Sequence, residues 1–175
     1  MTQKSNNFGF REVLEWRALL YISSIIARLF GNSACNAIFF RLGMAEGCNI
    51  AGLLMQKVNP TNIENRLDLH VIFKELSEIL IENNYVERFW FFESETPDAN
   101  VKEYRVRVSS NLVLSMLLEQ EHYDEDESES SLFCNFMCGM LKSIFEKFLE
   151  DGMRIIESEC QLKNKESCEY AIRKI

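Results

Sequence analysis

Four of the six cysteines fall near the end of the chain, at 134, 138, 160 and 168, and they constrain the fold more than any other feature. Cys134 and Cys138 open a stretch from Leu132 to Leu149 whose apolar residues recur at helical spacing: Phe133, Phe136, Met137, Met140, Leu141, Ile144, Phe145 and Phe148. Cys160 and Cys168 flank a polar turn between two strand-like stretches, Met153 to Cys160 and Cys168 to Ile175. A fold that gathers these sulfurs must seat the hairpin on the start of the helix. Three thiols and a carboxylate, Glu157 or Glu159, make a four-ligand set for zinc. Cys138 lies one helical turn after Cys134 and competes with it. Strand parity adds a condition. Residues 157 and 160 point to opposite faces of a regular strand, so a bulge or a strand end must fall between them.

The compartment argues against disulfides and leaves metal binding or plain burial for the cysteines. Met1 to Gly9 is polar, with no apolar run before a small-residue cleavage site. The sequence therefore predicts a cytoplasmic chain whose thiols stay reduced. The most apolar early stretch, Leu19 to Phe30, carries Arg28 and is too short to span a bilayer, so no membrane span is expected. A net charge of -8 argues against nucleic acid as the partner, because phosphate binding needs a cationic face.

The remaining pattern predicts one domain. Residues 1–9 read as a flexible tail and 10–175 as a single unit. Helical periodicity runs from Phe10 to about Phe30. After Gly31, with Asn32 or Ser33 as cap, it runs to about Lys57, and Gly43 and Gly47 share one face of that helix. Thr61 and Glu64 form a capping box for a third helix that ends at Asn83-Asn84. Phe89-Trp90-Phe91-Phe92 suits a strand covered on both faces. Tyr104, Val106 and Val108 alternate with Arg105 and Arg107 as a half-exposed strand, joined to the first through a turn at Pro97. Asn111 caps a short helix through Leu118. Residues 119–130 are an acidic loop, since like charges repel and no core residue is present. Strands in adjacent pairs predict an α+β fold, an antiparallel sheet packed with long helices, with a C-terminal helix and hairpin last.

Cys134, then Glu157-Ser158-Glu159-Cys160, then Cys168-Glu169-Tyr170, resembles the end of the 4-vinyl reductase (4VR) domain family, and Gly43 and Gly47 resemble its glycine pair. The resemblance extends from about residue 12 to 175. It implies zinc held by Cys134, Glu157, Cys160 and Cys168, with Cys138 and Glu159 left out. It also implies a predicted hydrocarbon or small-molecule binder, similar in fold to vesicle-tethering (TRAPP-type) subunits that form dimers. The expected function is a non-enzymatic, zinc-stabilised domain that binds or senses an apolar or aromatic small molecule, as a homodimer. Trp90, Phe92, Tyr104, Phe136 and Met140 are the candidate ligand-binding residues, on apolar character alone. One alternative is a scaffold subunit of the tethering type, with Cys48 as a candidate for acylation. Another is an enzyme or accessory acting on tetrapyrrole vinyl groups. Against an enzyme, the chain has no glycine-rich dinucleotide fingerprint. A zinc with four protein ligands has no open position. His70 and His122 have no nucleophile partner in the pattern.

Overall fold

The computed structural model describes residues 10–58, 67–94, 103–109, 132–149, 152–161 and 166–174. The tail, the Thr61–Glu64 capping box, the Pro97 turn, the short helix after Asn111, the acidic loop and His122 lie outside the described residues. Four described helices precede or separate four strands: α1 Phe10–Phe30, α2 Asn32–Lys57, α3 Leu67–Glu82, β1 Arg88–Ser94, β2 Glu103–Ser109, α4 Leu132–Leu149, β3 Met153–Glu159 and β4 Cys168–Lys174. The architecture is α+β, as the strand pairing predicts. One correction falls at the start of α2. Its N-cap is Gly31, at φ 86, with no side-chain cap hydrogen bond, rather than Asn32 or Ser33. Glycine takes that left-handed backbone without the Cβ penalty other residues meet. At the other sharp reversal, Asn84 sits at φ 58 and ends the turn after α3.

The sheet is antiparallel throughout, in the order β1-β2-β4-β3. Phe89 and Phe91 pair with Val108 and Val106, and these in turn with Cys168 and Tyr170, so one face is apolar. That face lies on α4, whose Cys134, Met137, Met140, Leu141 and Ile144 are buried in the same core as Val106, Val108, Tyr170 and Ile172. The other face carries Trp90, Phe92, Arg105, Arg107, Glu169 and Arg173. β1 is thus not covered equally on both faces. It is an edge strand whose Trp90 is exposed while Phe73 of α3 stacks on Phe91. Edge position leaves the outer face without a neighbour on one side, and alternation then separates the aromatic run into two sets.

Helix α2 lies across α4 with no room for side chains at the crossing. A Cβ on Gly43 or Gly47 would overlap the Phe136 or Met140 carbonyl oxygen, and one on Gly139 would overlap that of Phe40. Glycine is the residue that permits this approach. Among the described residues α2 is also long and apolar enough to cross a membrane. Its inward face, with Phe39, Gly43, Gly47, Ile50 and Leu54, is buried instead. On its outer side and on α1, Tyr21, Ile22, Ile25, Leu29, Phe30, Ile38 and Leu42 are exposed.

Candidate metal centre

The ligand set assembles where α4, β3 and β4 meet. Cys134 is in the first turn of α4, Cys160 directly follows β3, and Cys168 opens β4. All three are buried, and none of the six cysteines is joined in a disulfide. The register of β3 on β4 slips between Glu157 and Glu159. This is the irregularity that parity demands, and it lets Glu157 and Cys160 reach the same side. One ligand atom from each of Cys134, Glu157, Cys160 and Cys168 lies within 4.8 Å of every other.

The spacing can be tested against metal geometry. Zinc–sulfur bonds of about 2.3 Å in a tetrahedron set sulfurs about 3.8 Å apart. Cys134 Sγ is 3.7 Å from Cys160 Sγ and 3.6 Å from Cys168 Sγ. A disulfide would draw them to about 2.05 Å. The set therefore fits a small tetrahedral cation, and three soft sulfurs favour zinc over calcium or magnesium.

Its electrostatics keep the thiols neutral unless a cation joins them. The Cys134 thiol is raised well above its ordinary value, first by its contact with Cys160, then by Cys168 and by burial. Cys168 is pushed up to about 12. Its contact with Cys134 lowers it, and its contact with Cys160 and burial outweigh that. The Gln161 backbone N–H donates to Cys168 Sγ at 3.2 Å and favours the thiolate. Thiols crowded together in a dry site hold negative charge only when a positive ion stands between them.

The competing residues fall outside this set. Cys138 is half-buried one turn further along α4. Its thiol is pushed up to about 12, first by burial and then by the charges of Glu157 and Cys168. Glu159 follows the bulge and pairs with Glu169 on the outward side.

The five aromatic and apolar candidates do not meet in one place. Trp90 and Phe92 are on the outer sheet face, where the Arg107 guanidinium lies 5.6 Å from the Phe92 ring centre. Tyr104 is on the inner face, its ring 5.7 Å from Phe91. Phe136 stacks on Tyr85 at 6.1 Å, and Met140 is fully buried. A separate groove of about 330 Å³ opens between α3 and β1, with Phe73, Phe89 and Phe91 as floor and His70, Lys74, Ser77 and Glu78 as rim. His70 stands edge-on to Phe91 there, 6.0 Å between ring centres. No spacing in the sequence announces this groove, because α3 and β1 contribute to it through tertiary packing.

Two further features carry no signal in the sequence pattern. Tyr170 is fully buried and its hydroxyl has no hydrogen-bond partner among the described residues. Burial raises its phenol well above the ordinary value, followed by the charges of Cys134, Cys168, Cys138 and Glu157. On the outer face Glu103 and Glu169 are buried beneath arginines. Arg105 bonds to both, Arg107 to Glu169 at 2.6 Å, and Arg173 to Glu103.

No protein-family model matches the chain, and no curated protein does. Solved structures do match. The phenol-responsive sensory domain of the transcription activator PoxR, with phenol, is similar at a TM-score of 0.65 and 12% identity, over 90% of this chain and 73% of that one. A trafficking protein particle complex subunit 3 from Naegleria fowleri, covalently bound to palmitic acid, is similar at 0.64 and 14% identity, over 93% of this chain and 94% of that one. At these identities the likeness is one of fold.

Proposed function

We propose that residues 10–175 are a 4VR-type domain that binds an apolar or aromatic small molecule without enzymatic chemistry, stabilised by zinc on Cys134, Glu157, Cys160 and Cys168. The observation that carries this reading is the four-atom cluster, with sulfurs at tetrahedral spacing, in a fold shared with a phenol-responsive domain. When bound, the metal supplies a structural cross-link. The chain's own residues do the rest: Cys134 ties the hairpin to α4, and the Gln161 N–H holds Cys168 in orientation. Of the ligand-binding candidates, Tyr104, Phe136 and Met140 are on the inner side of the sheet and Trp90 and Phe92 on the outer face, so a single ligand would engage one set and not both. The site works in the cytoplasm, where thiols are reduced. Native mass spectrometry of protein taken from cells tests the binding: a reproducible apolar or aromatic adduct is expected. Its repeated absence, with no added phenol or fatty acid retained, would remove the small-molecule part of the reading.

A second reading, a scaffold subunit of the tethering type, is favoured by the apolar surface of α1 and α2. Tyr21, Leu29 and Phe30 are each more than two-thirds exposed, at 69%, 69% and 72%. Monomers seldom leave such a patch in water. We propose that a second copy covers it, making a homodimer under either reading. Sedimentation at several concentrations distinguishes a dimer from a monomer.

A further inference from the structure

Tyr170 heads the largest fully buried side chains, and it sits mid-strand in β4, one of the two central strands. Its hydroxyl makes no hydrogen bond among the described residues. An unpartnered buried hydroxyl costs about 1–3 kcal/mol, and phenylalanine would fill nearly the same volume without that cost. The position therefore keeps a donor that has no partner among the described residues.

The strand register sets the side chain's neighbourhood. Tyr170 is directly opposite Glu157 in the β3–β4 register and two residues after Cys168. Directly opposed residues on neighbouring strands share a face. After burial, the charges that act on the hydroxyl include those of Cys134, Cys168, Cys138 and Glu157. Three of these four belong to the ligand set. A carboxylate that binds a metal through one oxygen keeps the other as a strong acceptor, and ligating carboxylates are held by hydrogen bonds from outside the set.

We propose that Tyr170 is the positioning residue of the metal centre, its O–H donating to the Glu157 carboxylate oxygen that the metal leaves free. The hydroxyl's unmet hydrogen bond is then satisfied at the metal centre. Tyr170 so couples zinc binding to the packing of the central strand.

The proposal rests on the zinc reading, and its test separates the two. Full-length protein and Tyr170→Phe are stripped, reloaded with zinc or cobalt, and titrated against a competing chelator. Tyr170→Phe is expected to hold zinc about 10- to 100-fold less tightly. Its cobalt ligand-field bands should shift, because the carboxylate is free to turn. The metal-free variant should melt no lower than the metal-free parent. A tyrosine that only fills space would instead shift the melting of stripped and loaded forms alike, and that result overturns the proposal. Equal zinc affinity with an unchanged cobalt spectrum also overturns it while the metal site stands. A parent chain that takes up no zinc removes the site and the proposal together.

Discussion

Gly43 of α2 lies against the backbone of Phe136 in α4, where an added Cβ would overlap the Phe136 carbonyl oxygen. Gly139 repeats the relationship in the other direction, against Phe40. Alanine would gain about 1 kcal/mol in helix propensity at either position. It would also force two backbones apart across the core, and overpacking of that kind costs about 1–3 kcal/mol or more. The second effect wins because a backbone carbonyl cannot rotate away as a side chain can. Gly43→Ala and Gly139→Ala should each lose about 2 kcal/mol in urea denaturation. Gly52, on α2 with nothing within 4 Å of where a Cβ would stand, is the control. Gly52→Ala should gain about 0.5–1 kcal/mol. Equal effects at 43 and 52 would dismiss the close crossing.

Cys160→Ser should abolish zinc uptake, and Cys138→Ser should leave one zinc per chain. Structural zinc supplies on the order of 10 kcal/mol of apparent binding energy in small domains. Chelation of the parent should therefore lower its melting temperature sharply, and the Cys160→Ser protein should no longer respond. Metal analysis with calorimetry reads both. Loss of zinc from Cys138→Ser would make that thiol a ligand and redraw the site.

The helices and the strand pairing were legible because periodicity records burial directly, and α1, α2 and α4 begin and end within a residue or so of the pattern. The need for a bulge was legible too, since Glu157 and Cys160 cannot share a face on a regular strand, and the register slip supplies it. Choosing Glu157 over Glu159 and Cys134 over Cys138 came from family resemblance, not spacing. Trp90 was hidden because four aromatics in a row carry no alternation; only the edge position of β1 divides them. Nothing in the sequence pattern marks Glu103 and Glu169 as buried. Arg105 and Arg107 cover Glu169 and Arg173 covers Glu103 from far along the chain, where no local window reaches, and only the Arg105–Glu103 contact is local. The Tyr170 hydroxyl was unreadable for the same reason: its environment is made by β3 and α4.

Glu103 and Glu169 predict how acid acts on the fold. Burial by itself would raise both carboxyls. The guanidiniums of Arg173 and Arg105 at Glu103, and of Arg107 and Arg105 at Glu169, outweigh it and hold both below the ordinary value. A carboxyl with a depressed folded value contributes stability that is fully present above its unfolded value. It loses that stability as pH falls through the folded one. Denaturation free energy should thus be flat from neutral pH down to about 5, then fall below the ordinary carboxylate range near 4. Glu169→Gln should flatten part of the fall and lose stability at pH 7. The same acid profile in parent and variant would show that other carboxyls control it.

The apolar surface of α1 and α2 predicts an outcome that a packed core would not give. Ile25 and Leu29 are one turn apart on α1, Ile38 and Leu42 one turn apart on α2, and all four are exposed in the single chain. A glutamate at such a position costs the monomer little, because its carboxylate stays in water. Across a dimer interface the same carboxylate would be buried without a partner, which costs several kcal/mol. Leu29→Glu combined with Leu42→Glu should therefore convert a dimer to a monomer in sedimentation equilibrium. The circular dichroism spectrum should not change, and the concentration dependence of melting should disappear, since only association makes melting depend on protein concentration. A parent that is already monomeric at high micromolar concentration would remove the interface. A variant that unfolds would show instead that these leucines support the chain's own packing.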